Sequence, residues 1–466
     1  MKLQLENLGA IQKADIALEG ITIIAGENNV GKSTVGKALY AFFHDMSSWK
    51  QVYDDICSSN IERFLYLRST FLEDWCMKLS KAKRRRTSKA DQLQKHYAHE
   101  ENFLVAIEDY QVAEEKTAKA EARDRLEKVL GDYCYDYMFL YVKDQIQGLW
   151  RQSTREIEDW IEKAVVGAES LELDELQLQT QRLVQSFQEV FNFQYRRIGT
   201  RETRIRFTDD DGRTVTFFVD DKGGELDQPI RLSNRVFFIE SPKIYDYLSN
   251  TRYGHVQKEY LRYLMSPNIL KKGNPIAKLT AQDYDPVQTG GQDILQDIER
   301  RLVSVMGGRA EFLQKVGLEF KDEQIAEPIH PVNVSTGLKS MALLEYALRI
   351  GAIEEGDILI LDEPEINLHP QWQLEYARTL VHLQKAFHLK IVITSHSPYF
   401  MRAIECFTDV CDTMDCLNVY RVMKKQDNEV QITNVSYSEF GMTDLYDDLS
   451  APLEALETML DEKYGE

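Results

Sequence analysis

ITIIAGENNVGKST, residues 21–34, is the stretch whose reading decides the fold. From Gly26 it fits Gly-x-x-x-x-Gly-Lys-[Ser/Thr], the loop that cradles a phosphate. Gly26 and Gly31 let the backbone turn its N–H groups inward onto a β-phosphate, and Lys32 reaches the β- and γ-oxygens. Ser33 offers a hydroxyl to Mg²⁺, and the helix that it opens points its positive end at the anion. Ile21, Ile23 and Ile24 form a short buried strand before the loop, and Val35–Phe43 reads as helix after it. Strand, loop and helix in that order are the context the chemistry needs.

Working outward, 466 residues suffice for a large core and more than one domain. Hydrophobic residues at 43% and charged residues at 28% describe an ordinary soluble chain. No apolar run reaches membrane-span length and the N-terminus lacks a signal-peptide pattern, so a cytoplasmic protein without membrane contact is expected. Cys57, Cys76, Cys134, Cys406, Cys411 and Cys416 form no C-x-x-C pair, so no zinc site is signalled and reduced thiols are expected. The net charge of −20 excludes a surface that binds nucleic acid all over; any such contact is local.

In chain order, LQLENL, ADIAL and ITIIA read as three short strands, broken at Gly9 and at Glu19-Gly20. The phosphate-loop helix ends near His44. The next block, to about Phe193, is polar, aromatic and helical. Ala113–Leu130 is rich in helix formers, with Glu115/Lys119, Glu121/Arg125 and Asp124/Lys128 in the favourable i,i+4 order. Leu176, Leu183 and Val190 fall seven apart, which suits a short coiled coil beside that helix or an amphipathic helix in a bundle. Lys81–Arg86 has five basic residues in six, either a nucleic-acid patch or a solvated helix end. A second basic cluster, Arg196, Arg197, Arg201, Arg204 and Arg206, leads into a hairpin whose turn is Asp211-Gly212. Arg235–Glu240 reads as a buried strand, 243–292 as mixed helix and loop, Ile294–Met306 as helix, and Val316–Phe320 as a strand.

Asn333–Arg349 then places Ser335 and Gly337 before a helix with the apolar positions Met341, Leu344, Ala347 and Leu348. A Ser and a Gly there make an anion site or a plain helix cap. In Asp357–Glu365, DILILDEPE, the buried strand Ile358–Leu361 delivers Asp362 and Glu363 to its C-terminal end, where open α/β sheets bind ligands. Asp362 suits Mg²⁺, and Glu363 is placed to take a proton from an attacking water. Lys390–Ser397, KIVITSHS, is another buried strand and ends at His396, a donor for a γ-phosphate.

Taken as a set, GENNVGKST, STGLKS, LILDEPEINLHP and ITSHSPYF resemble the Walker A, signature, Walker B/D-loop and H-loop motifs of ABC-type ATPase heads, in particular the OLD-like and RecF/SMC-like group. The resemblance covers roughly residues 1–43 and 200–435. It implies a mixed β-sheet core with an antiparallel β lobe over 1–44 and 196–441, carrying a helical insertion at 45–195 and an acidic C-terminal helix at 442–466. It also implies ATP and Mg²⁺ as cofactors. Gly26, Asn28, Asn29, Gly31, Lys32, Ser33 and Thr34 would line the nucleotide, Ser33 and Asp362 the metal, and Glu363, His396 and Lys32 the chemistry. Ser335 and Gly337 would complete the site of a second copy in a head-to-head homo-oligomer. The signature departs from the family's S-G-G-Q by reading S-T-G, and no glutamine is assigned to the Q-loop.

OLD nucleases append a Toprim domain after the head, and the roughly thirty residues after Ser436 are too few for one. A separate nuclease effector of Toprim or HNH type is therefore expected, as in ATPase subunits of bacterial anti-phage systems that a phage protein triggers. The alternative is a DNA-repair or chromosome-maintenance ATPase that clamps DNA, which only the two basic clusters favour.

Overall fold

The computed structural model describes residues 1–28, 30–47, 49, 52–53, 102, 105–106, 116–141, 174–232, 234–240, 291–313, 317–325, 327–350, 352–425, 429–436 and 441–464. Two compact units are present, Met1–Ser48 with Gln179–Glu466, and Trp49–Leu178. Residues 179–195, expected in the insertion, thus lie in the first unit. Lys81–Arg86 and nearly all of 243–292 fall outside the described residues.

The first unit is an α/β fold on one mixed sheet. Its strands are β1 (Lys2–Leu8), β2 (Ile11–Ala17), β3 (Ile21–Ala25), β4 (Thr203–Thr208), β5 (Thr214–Val219), β6 (Gly224–Leu226), β7 (Val236–Ile239), β10 (Ile358–Asp362), β11 (Lys390–Ser395), β12 (Leu417–Lys424) and β13 (Val430–Asn434), with β8 (Gly308–Leu313) and β9 (Gly317–Asp322) forming a separate hairpin. The order across the large sheet is β6-β5-β4-β1-β2-β13-β12-β3-β11-β10-β7. From β12 to β7 all neighbours are parallel, and from β6 to β2 all are antiparallel. Ile358–Leu361, Ile391–Ile393 and Ile21–Ala25 are buried on both faces, as parallel strands covered on both sides must be.

The helices are α1 (Lys32–Phe43), α2 (Lys116–Tyr141), α3 (Glu175–Val190), α4 (Gly291–Met306), α5 (Thr336–Arg349), α6 (Pro370–Phe387), α7 (Pro398–Val410) and α8 (Gly441–Tyr464). α2 lies in the second unit and runs eleven residues past the expected Leu130, burying Ala122 and Leu126. α3 carries the expected heptad, but Leu183 and Phe187 are buried in the antiparallel lobe, where Phe187 lies 5.6 Å from Phe217 ring to ring. Gln179 is also buried, donating to Ile230 O at 3.1 Å and accepting from Ile230 N at 2.7 Å. Those backbone bonds and rings fix the helix on the sheet.

Two expectations change. The helix ends at Met306 as expected, but a strand not expected from the sequence, β8, follows it and pairs with β9. α5, expected to show one apolar face, is buried on nearly every side from Lys339 to Leu348, so its position is central rather than peripheral. α8 packs its first turns on the head: Leu445 is buried and Tyr446 Oη donates to Glu405 Oε2 at 2.8 Å.

Candidate functional site

β3, β11 and β10 are neighbours, and their register brings their C-terminal ends together. Ala25 stands opposite Ser395, and Asp362 opposite Thr394. Whatever follows these residues must emerge at the same edge of the sheet. The phosphate loop follows β3, Glu363 follows β10, and His396 follows β11.

The loop's shape depends on its first glycine: a Cβ at Gly26 would sit 2.4 Å from the Val422 carbonyl of β12. Gly31 caps α1 with φ 93°. Lys32 is 4% exposed and folds back over the loop, donating to Gly26 O at 2.9 Å and Glu27 O at 2.7 Å. Its Nζ lies 3.6 Å from Glu363 Oε1. Burial holds the Lys32 ammonium below the usual lysine range, with Glu363 pulling the other way. Asn28 is exposed at the loop tip, Thr34 packs against the Gly9 turn, and Asn29 lies outside the described residues.

Ser33 Oγ donates to Asp362 Oδ1 at 2.9 Å, and Thr394 Oγ1 donates to the same oxygen. Burial pushes the Asp362 carboxyl up against the pull of those hydroxyls, and Glu363 and Glu240 add to the rise. A hydroxyl and a carboxylate converging at one point are the hard oxygen donors that Mg²⁺ takes, and a divalent cation there would remove the cost of burying the charge. The residues fit the metal.

Glu363 has φ 47°, a left-handed conformation that costs a non-glycine residue about 1–3 kcal/mol. Its N–H is held by Thr394 O and Thr394 Oγ1, both at 3.1 Å. Oε1 thereby points between Lys32 and His396, whose Nδ1 is 3.3 Å away. Lys32, Ser33, Asp362, Glu363 and His396 are thus one cluster assembled from three strand ends. β11 itself stops at Ser395, one residue before the expected end at His396.

Ser335 and Gly337 stand at the start of α5, Ser335 exposed and Gly337 buried. Ser335 caps α5, accepting from Leu338 N at 3.4 Å, and is itself exposed. Gly337 abuts the Asn367 carbonyl, in the loop after Glu363. No described hydrogen bond or ion pair joins either residue to Lys32.

Two of the five arginines of the second basic cluster are paired with acids. Arg196 pairs with Asp221 at 2.5 Å, and Arg204 with Glu6 and Glu202, each at 3.3 Å, while lying over the Phe218 ring. Acids already answer these guanidinium groups, so they brace the antiparallel lobe. Cys406, Cys411 and Cys416 are free thiols, and no group of three or more metal-ligating His, Cys, Asp or Glu side chains occurs among the described residues. No described helix is long and apolar enough to cross a membrane.

Glu365 also belongs to this neighbourhood, although the sequence reading assigns it no role. It is 3% exposed, and Ser395 Oγ donates to its Oε1. A third acid, after Asp362 and Glu363 at the end of an apolar strand, is the available signal.

Comparison with known proteins bears on this cluster. A family model described as "AAA ATPase domain" matches residues 1–216, and one described as "AAA domain, putative AbiEii toxin, Type IV TA system" matches residues 200–402. Between them they cover both the phosphate loop and the Asp362–His396 region, and they support an ATP-binding ATPase of AAA/ABC type. No curated protein matches the chain. Among solved structures, an SMC head bound to the C-winged helix domain of ScpA is similar at 10% identity and TM-score 0.42, covering 94% of this chain and 98% of that one. The SMC head domain from Thermotoga maritima is similar at 11% identity and TM-score 0.33, over 93% and 98%. The recombination mediator protein RecF of the RecFOR pathway is similar at 10% identity and TM-score 0.37, over 92% and 97%.

Proposed function

We propose that the chain is a Mg²⁺-dependent ATPase in which two copies close face to face over ATP, each lending its Ser335 and Gly337 to the other's phosphate loop. The observation that carries the ATPase reading is the convergence of Lys32, Ser33, Asp362, Glu363 and His396 on one sheet edge. Lys32 exchanges the Gly26 and Glu27 carbonyls for β- and γ-oxygens. Ser33 and Asp362 hold the metal, which supplies neutralisation of the triphosphate charge. Glu363 accepts a proton from the attacking water, and His396 orients Glu363 and donates toward the γ-phosphate. The face-to-face assembly rests on Ser335, an exposed N-cap whose hydroxyl stands at the start of α5. A half-site with an open phosphate face gains binding energy when a second helix N-terminus covers it, so ATP favours assembly and hydrolysis releases it.

At the cellular level we propose a sensor and scaffold for a separate nuclease effector in an anti-phage complex, such as the ATPase subunit of the PARIS system, on the resemblance to OLD-like heads. The alternative, an ATPase that clamps DNA, draws on the two basic clusters, of which Arg196 and Arg204 are paired with acids.

The test is phosphate release by the purified chain, with its mass followed by light scattering. Release is expected to need both ATP and Mg²⁺ and to stop on chelation. Mass is expected to double with a slowly hydrolysed ATP analogue. Release that survives chelation, or a mass indifferent to nucleotide, overturns the proposal.

A further inference from the structure

Glu365 is a buried acid that the mechanism above does not use. Ser395 Oγ donates to its Oε1 and in turn accepts from Ser397 N at 3.1 Å. His396 lies between these two serines, so its backbone is pinned on both sides. The Glu365 carbonyl accepts from Leu368 N at 3.1 Å and Gln373 Nε2 at 3.4 Å, which fixes the loop to α6. That loop carries Asn367, φ 64°, whose carbonyl would stand 2.4 Å from a Cβ at Gly337. The start of α5 therefore seats directly on the loop that Glu365 closes.

The second carboxyl oxygen, Oε2, is buried with no hydrogen-bond partner. Leaving a buried polar atom unanswered is costly, and an apolar side chain of similar size would avoid the cost. A packing role alone does not call for an acid here. Burial also pushes the Glu365 carboxyl up, toward its neutral form.

We infer that Glu365 is a positioning residue that ties the His396 loop to the loop beneath Gly337, holding His396 against Glu363. The inference rests on the ATPase reading for its effect on turnover, but its structural half stands apart from it. One carboxyl oxygen acts as an acceptor for Ser395, and the backbone of the same residue anchors the loop that α5 touches. A shift at the start of α5, where a second copy is proposed to dock, would reach His396 by this route.

Four variants of the full chain test it: Glu365→Ala, Glu365→Gln, Ser395→Ala and the double variant Glu365→Ala with Ser395→Ala. Glu365→Ala and Ser395→Ala are each expected to lower kcat about tenfold with ATP affinity changed less than about twofold, the scale of one lost buried hydrogen bond. The double variant should be no slower than either single one. Glu365→Gln keeps an acceptor oxygen and is expected to restore most of the lost turnover. Amide exchange at Ser397 and Leu368 is expected to quicken about tenfold in Glu365→Ala, by the same loss of anchoring. Glu365→Gln as slow as Glu365→Ala would mean that the charge acts directly, and would overturn a positioning role. Unchanged exchange in Glu365→Ala would overturn it too. Should the wild type release no phosphate, the ATPase reading fails and the exchange data alone decide this inference. Should Glu365→Ala not fold, turnover and exchange in Ser395→Ala decide it: unchanged values overturn it, and slower turnover with quickened exchange supports it.

Discussion

Lys32→Ala is expected to weaken ATP binding by about a hundredfold or more, since it removes a buried cation and its charge-assisted bonds to phosphate. Lys32 is the buried cation of the phosphate loop, and burial has already taken it out of water. The energetic cost of stripping that ammonium of solvent is therefore met on folding, before a triphosphate arrives. Alanine leaves the Gly26 and Glu27 carbonyls without their present donor. The loop sits at the sheet edge, where water replaces that donor, so the fold should survive. Titration of a fluorescent ATP analogue, with thermal unfolding as the control, checks both halves. An affinity within a few-fold of wild type would remove the loop from the binding account.

Glu363→Gln is expected to reduce turnover by about 10²–10⁴, the usual contribution of a positioned general base. Binding should persist, because the amide keeps the shape of the side chain and the Thr394 bonds to its backbone are untouched. The consequence is a nucleotide-bound assembly that forms and does not come apart. Light scattering with ATP should show the doubled mass persisting in the variant and decaying in the wild type. Wild-type turnover in purified Glu363→Gln would withdraw the general-base role. The strain at Glu363 supports the assignment, since a left-handed φ at a non-glycine residue persists only where its surroundings hold it.

The parallel half of the sheet was legible because its strands are continuous apolar runs ending in chemically distinctive residues. ITIIA, ILIL and KIVITS declare both their burial and the edge at which they deliver Lys32, Asp362 and His396. The hairpin around Asp211-Gly212 was equally plain, since its turn chemistry and alternation agree. β8 is hard to see because the alternation of Arg309, Ala310, Glu311 and Phe312 is short and starts directly after the glycines that end α4, and its pairing with β9 completes it. α3 announced a heptad, yet Phe187 and Gln179 answer to the lobe, which lies far off in sequence. Two members of the arginine cluster, Arg196 and Arg204, have acid partners that the local sequence does not reveal, Asp221 beyond the intervening hairpin and Glu6 far off in the chain. Glu365 was passed over for a similar reason. Its neighbour Ser395 sits thirty residues on, and only the pairing of β10 with β11 brings them together.

The central claim is that one site is built from two chains, and mixing variants tests it most directly. Lys32→Ala and Ser335→Arg should each be inactive alone, the first lacking its phosphate cation and the second blocking its neighbour. Mixed in equal amounts, half of the two-fold pairs contain one of each, and in those pairs one of the two sites is intact, so turnover should return to about a quarter of wild type. A mixture as inactive as its components, while both variants still pair with each other, would contradict the shared site.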